Sequence, residues 1–159
     1  MADYHAEISA EIRAPIETVF DRLADHNAMG TWLNADIRRT KDSSVTAEGV
    51  NGTGSVRTLR IFSLLDFDET VVRFEKPRSG VAQGKEAKVA SIEYKITRGS
   101  PLKNHHGTIT LDDAGGKVTI AWNIIFDMAF PLVGHVVALL LKFAITDGLK
   151  KLAKQLEAS

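Results

Sequence analysis

From Tyr4 to Ile12 the chain alternates, with Tyr4, Ala6, Ile8, Ala10 and Ile12 on one side and His5, Glu7, Ser9 and Glu11 on the other. A period of two marks a strand with one buried and one wet face. The period changes at Pro15, whose missing N–H costs nothing at a first helical position, and Ile16, Val19, Phe20 and Leu23 then recur at helical spacing up to Asp25-His26-Asn27. A brief second helix or turn is expected through Met29 and Trp32, interrupted at Gly30. Strand patterning takes over after Ala35 and returns at Ile37–Lys41, Ser55–Phe62, Glu69–Glu75, Val89–Thr97, Thr108–Leu111 and Lys117–Phe126. Asn51-Gly52, Gly99-Ser100-Pro101 and Asp113-Ala114-Gly115-Gly116 carry turn chemistry and predict short antiparallel connections. Pro, Ser and Gly cluster in Pro77–Gly84, which predicts a flexible loop.

The last segment, Leu132–Leu156, predicts one long helix with Leu132, Val136, Leu139, Phe143 and Leu149 near one face and Lys150, Lys151 and Lys154 suited to its C-terminus. Its stretch Val136–Leu141 is apolar almost all round, more than one buried face requires. Either a partner subunit meets the excess or the Met29–Leu33 segment covers it, and the second reading is preferred. The apolar run Phe130–Ile145 contains His135 and Lys142 and falls short of the roughly 20 residues a spanning helix needs, so a buried helix without membrane insertion is expected. This order of elements predicts an α+β fold, a curved antiparallel sheet gripping the terminal helix, with Leu139 and Phe143 buried. One helix cannot cover a wide, twisted sheet completely, which leaves room for a pocket between them.

Composition narrows the functional classes. Lysine plus arginine equal aspartate plus glutamate at 20 each, so no global field favours nucleic acid or an anionic membrane, and no aromatic platform is interleaved with a basic stripe. With 44% hydrophobic residues, the 159-residue chain suits a single domain, 1–159, as a monomer or homodimer. It contains no cysteine, which excludes disulfides, thiolate catalysis and cysteine-ligated zinc. The histidines are dispersed, and the adjacent His105 and His106 face opposite ways on a strand, so neither a metal nor a cofactor is expected. The opening Met-Ala-Asp-Tyr-His-Ala-Glu lacks the regions of a signal peptide, and a cytoplasmic location is the expectation.

The glycines of Gly49–Ile61 run into a strand pattern, whereas a phosphate-cradling loop needs a helix N-terminus behind them. Ala14-Pro15-Ile16-Glu17-Thr18-Val19-Phe20, Gly52-Thr53-Gly54-Ser55-Val56-Arg57, Tyr94-Lys95-Ile96 followed by Gly99-Ser100-Pro101, and the late Val118-Thr119-Ile120-Ala121-Trp122 strand stand in an order that resembles the START-like, helix-grip superfamily. The resemblance covers nearly the whole chain and is closest to the polyketide cyclase/dehydrase and lipid-transport branch. It implies a hydrophobic cavity for a small apolar or aromatic ligand, in a superfamily that includes binders, carriers, cyclases and hydrolases. Fold alone does not choose among these.

Arg57 shares strand parity with Leu59 and Ile61, and the resemblance implies a cavity-facing cation there, suited to a ligand carboxylate or enolate. An arginine whose stem packs and whose head reaches solvent is the bland alternative, and Glu69 on a neighbouring strand is a further candidate to neutralise it. Tyr94 alternates with Ile92 and Ile96, so its ring is expected on the buried face with its hydroxyl bonded to ligand, backbone or water. His105 has the inward parity of Ile109 and Leu111 and is a candidate general base, though no nucleophile or carboxylate stands at a spacing that assigns it a partner. Trp32 and Trp122 each offer an indole N–H to a cavity wall, with core packing as the plainer reading. His135 and Phe143 are expected to line the cavity and Leu139 to roof it. Binding of a hydrophobic small molecule is the leading expectation. A cyclase in which Arg57 stabilises an enolate and Tyr94 or His105 moves a proton is the alternative. An interaction module without a ligand is the third reading.

Overall fold

The computed structural model describes residues 3–61 and 65–157. The first strand, β1, spans Tyr4–Ile12, and its alternating burial matches the alternation of its sequence. Helix α1 spans Ile16–Ala24 and buries Ile16, Val19, Phe20 and Leu23. Pro15 sits one position earlier than expected, as the cap, with its carbonyl accepting from the Val19 N–H. The Met29 segment is a 3-10 helix, His26–Thr31, opened by the Asp25 carboxylate accepting from the Asn27 N–H. Strands β2 (Asp36–Lys41), β3 (Val56–Ile61), β4 (Leu65–Ala82), β5 (Lys85–Arg98), β6 (Lys103–Asp112) and β7 (Val118–Asp127) follow, and α2 (Pro131–Glu157) ends the described chain. Phe62, the expected end of its strand, lies outside the described residues.

The seven strands form one antiparallel sheet in the order β1-β7-β6-β5-β4-β3-β2, with α1, the 3-10 helix and α2 packed on its apolar face. This is a helix-grip α+β fold. The inward set of β7, Val118, Ile120, Trp122, Ile124 and Phe126, is buried, while Ile125 faces outward beside His5 and His106.

The expected loop at Pro77–Gly84 is strand almost to its end. The register shifts between Glu75 and Arg78, so Pro77, which has no N–H to give a ladder, sits inside that irregularity. The reversal is confined to Gln83-Gly84, both at positive φ, the geometry of a tight hairpin turn.

The larger correction concerns α2. Leu139 and Phe143, expected to be buried, are 54% and 66% exposed, and Leu132 and Val136 are exposed with them. The packed face is instead the one bearing Gly134, Ile145, Gly148, Leu149, Leu152 and Leu156. Two glycines decide it. A Cβ on Gly134 would run into the Tyr4 ring, and one on Gly148 would stand 2.6 Å from Leu33 and 3.1 Å from the Trp32 carbonyl. The packed face combines two glycines, which allow the close approach, with Ile145, Leu149, Leu152 and Leu156 in the second half of the helix, so of the five residues expected on the buried face only Leu149 lies on it. For the same reason the Met29–Leu33 segment does not cover Val136–Leu141, because it meets the helix a turn or more later, at Gly148.

Leu149→Ala is therefore expected to lower unfolding stability by about 2–5 kcal/mol, the usual cost of emptying a packed leucine site. Leu139→Ala and Phe143→Ala should stay within about 0.5 kcal/mol of the parent chain, as exposed positions do. Urea unfolding of the three variants checks the assigned helix face.

Candidate functional site

Arg57 stands opposite Glu69 in the β3–β4 register, and both side chains point into the core. Its Nε donates to Glu69 Oε1 at 2.7 Å, its Nη1 lies 3.0 Å from Met29 Sδ, and its guanidinium carbon sits 4.5 Å from the centroid of the Tyr94 ring. Arg57 is only 2% exposed. Of the alternatives posed by the sequence, Glu69 is the partner, and no solvent-seeking head is observed. The cation is held by a carboxylate below and an aromatic face beside it, a desolvated arrangement in which both contacts strengthen.

Tyr94 on β5 faces Gly107 on β6, and a Cβ there would collide with the phenol ring. The glycine thus makes the floor on which the ring lies. The hydroxyl accepts a hydrogen bond from Trp122 Nε1 at 2.8 Å. Burial, reinforced by the Glu69 charge, raises the Tyr94 pKa well above the ordinary phenol range, so the hydroxyl keeps its proton and is a donor at neutral pH. Trp32 leans edge-on against Trp122 with ring centroids 6.3 Å apart.

His105 lies 5.5 Å from Tyr94 between ring centroids, buried as its parity predicts. Its Nδ1 accepts the Ile96 backbone N–H at 3.1 Å, which fixes the neutral tautomer with the proton on Nε2. Burial, aided by Arg57, lowers its pKa. The nitrogen that carries the basic lone pair is already engaged, so this ring is poorly placed to abstract a proton. His106 points outward to Glu93 at 2.8 Å.

Two buried polar atoms have no hydrogen-bond partner among the described residues: Trp32 Nε1 and His26 Nδ1. His26 opens the 3-10 helix, and its Nε2 lies 2.8 Å from Ser55 Oγ. Burial first, then the Arg57 and Arg39 charges, lower its pKa to about 3, so the ring is neutral. Neither His26 nor Ser55 stands among the residues expected from sequence. Ser55 shares the inward parity of Arg57 and was open to that inference, whereas His26 sits in a tripeptide that reads as a helix stop.

The remaining expected residues divide into two groups. Leu59, Ile92 and Trp122 are buried in the core and Ile61 is partly buried against it. His135, Leu139 and Phe143 are not brought to this cluster. The first is exposed with its ring edge against Tyr4, and the other two project from the outer side of α2. A surface hollow of about 440 Å³ lined by Arg13, Pro15, Asp113 and Lys117 lies apart from the cluster, at the β1–α1 connection.

Two outcomes follow from these contacts. Glu69→Gln leaves a buried, uncompensated guanidinium and should cost about 3–5 kcal/mol, most of which the double variant Arg57→Met, Glu69→Gln should restore; chemical unfolding measures both. The second concerns pH. Because the folded-state pKa of His26 is depressed, its unfolded form binds more protons below about pH 6.5, and stability is lost as pH falls toward about 3. From about pH 6.5 to about 4.5, above the main carboxylate range, this residue should contribute a slope that rises from about 0.7 toward about 1.4 kcal/mol per pH unit, and His26→Gln should remove it.

Residues 4–157 match the sequence profile of a family described as polyketide cyclase / dehydrase and lipid transport. No curated protein matches the chain. Among solved structures, a START superfamily protein from Mycobacterium smegmatis superposes with a TM-score of 0.70 at 13% identity, covering 98% of each chain. XoxI from Bacillus cereus gives 0.64 at 19% identity, over 98% of this chain and 96% of its own. A protein from Thermus thermophilus gives 0.62 at 15% identity, over 97% of both. These identities speak for the fold, and the profile match over nearly the whole length places the chain in the polyketide cyclase / dehydrase and lipid transport family.

Proposed function

We propose that this protein binds a hydrophobic or aromatic small molecule, of lipid or polyketide type, in the core between the sheet and its helices. The observation that carries the reading is the pair of buried side-chain atoms, Trp32 Nε1 and His26 Nδ1, that have no hydrogen-bond partner among the described residues, although the polar groups around them, Arg57, Glu69 and Tyr94, are paired. Buried polar groups without partners are rare in native proteins, and each invites an explanation such as a ligand atom that completes it. The Trp32 ring and the Tyr94 hydroxyl both stand against Trp122, and the Trp32 indole N–H and the phenol O–H each have a proton to donate. Two donors suit an acceptor oxygen such as a ketone or ester carbonyl. A carboxylate suits the site less well, because Glu69 already neutralises Arg57.

The same geometry favours binding over proton transfer. His105 Nδ1 is occupied by the Ile96 N–H, and Tyr94 holds its proton too firmly to serve as a base. An enolate at Arg57 would meet a guanidinium whose charge Glu69 already neutralises, which weakens the stabilisation it could offer. The protein therefore acts as a carrier or sensor of a neutral apolar molecule.

Native mass spectrometry of the freshly purified protein, followed by titration with neutral aromatic ketones and the matching carboxylates, tests this. The two tryptophans, Trp32 and Trp122, are expected to report binding by fluorescence, with ketones preferred. Tyr94→Phe and Trp32→Phe should each weaken ketone binding by about 1–2 kcal/mol, the scale of one buried hydrogen bond. A stronger response to the carboxylates, or no response to any apolar compound, would overturn the reading. Turnover of a candidate poly-ketone that disappears in Arg57→Met would establish the enzymatic alternative in its place.

A further inference from the structure

The first half of α2 is apolar on the side turned away from the sheet. Leu132, Val136, Leu139, Leu140 and Phe143 recur there at helical spacing and are 54–83% exposed, and Phe130 just before the helix is exposed as well. The opposite side is the one that Gly134, Ile145, Gly148, Leu149 and Leu152 bring close to β1 and to Trp32 and Leu33. Scattered exposed apolar residues are ordinary, whereas a contiguous stripe over three helical turns marks a contact surface.

The charges farther along the same side indicate what covers it. Beyond Phe143 the outward positions are Asp147, Lys150 and Lys154, with Lys151 beside them. Asp147 is engaged by Lys151 at 3.5 Å, while Lys150 and Lys154 are exposed and have no ion-pair partner among the described residues. A second copy is a poor occupant. Antiparallel pairing would set these lysines beside the positive N-terminus of the other helix, and parallel pairing would set lysine against lysine. By length and composition α2 is long and apolar enough to cross a membrane, but spanning would require tearing its glycine-bearing face from the core. An apolar stripe in line with unpaired lysines matches a surface that is apolar beneath and anionic above.

We propose that the outer face of α2 docks the protein on an anionic lipid bilayer surface, with Leu132, Val136, Leu139 and Phe143 entering the acyl boundary and Lys150 and Lys154 meeting lipid phosphates. The helix lies in the interface and keeps its other face on the sheet. The neutral chain as a whole supplies no attraction at a distance, so binding depends on this one face. The proposal does not rest on the ligand reading.

Vesicle flotation decides it, using phosphatidylcholine alone and phosphatidylcholine with about one-third phosphatidylglycerol. Binding to the anionic vesicles is expected, weakened roughly tenfold or more by Leu139→Glu or Phe143→Glu and roughly fivefold by each of Lys150→Gln and Lys154→Gln, with the lysine contribution fading in high salt. Unchanged melting temperatures confirm that these surface variants fold. A second measurement introduces no charge: since the chain has no cysteine, Leu132→Cys can carry a single environment-sensitive dye. Its emission should shift to the blue on anionic vesicles, whereas a dye at Glu7→Cys, on the outer side of the sheet, should not respond. Absence of both flotation and dye response on anionic vesicles overturns the proposal. So does equal binding to neutral vesicles, a dimer dissolved by Leu139→Glu in the absence of vesicle binding, or retention in membranes through alkaline carbonate washing, which marks a spanning helix.

Discussion

A guanidinium and a carboxylate taken out of water together organise the middle of this protein. The Arg57–Glu69 pair is buried beneath the 3-10 helix, and neither member is tolerable there without the other. Its presence dictates much around it. Met29 must offer its sulfur, Tyr94 must lie flat beside the cation, and Gly107 must lack a side chain so that Tyr94 can do so. Trp122 then closes the chain of contacts by donating to the phenol oxygen. These residues come from the 3-10 helix and from β3, β4, β5, β6 and β7, so one polar network ties most of the sheet to its cover.

Such a network stabilises less than an equally well packed apolar core would, because desolvation consumes much of the Coulomb gain. What it confers is directionality. Hydrogen bonds and the cation–aromatic contact hold particular atoms at particular places, including the protonated Tyr94 hydroxyl, and fix Trp122, the ring against which Trp32 leans. The neutral His26 and His105 fit the same pattern, since charged imidazoles could not remain so close to Arg57 in a dry interior.

Strand parity in the sequence foretold the sheet and the inward direction of Arg57, Tyr94, His105 and Trp122, because a strand's period of two survives folding unchanged. It could not show that Glu69 and Arg57 lie opposite one another, since register between strands depends on connections whose length the chain conceals. Pro77 misled because proline usually ends strands, and only the local shift in register accommodates it. Helix α2 misled for a different reason. Side-chain size says which residues prefer burial, yet close approach between elements depends on small side chains, and the face bearing Gly134 and Gly148 packs while four of the five larger residues expected to be buried, all but Leu149, stay exposed. His26 was hidden because its role arises from a contact with Ser55 across the fold, and no local pattern encodes that.

The two ends of the sheet differ in how their backbone is protected. Strand β1 runs along α2, which packs beside it. Strand β2, at the other end, is Asp-Ile-Arg-Arg-Thr-Lys, charged at four of six positions and broken by a shift in register between Arg39 and Lys41. An open edge of unpaired backbone groups is a template for another chain, and closely spaced charges with a bulge spoil that template by repulsion and by twisting it away. The 3-10 helix also packs on β2, and Asn27 Oδ1 accepts from the Arg39 backbone N–H at 2.8 Å, so this end of the sheet is blunted by charge, by a bulge and by a side chain that occupies part of its backbone template.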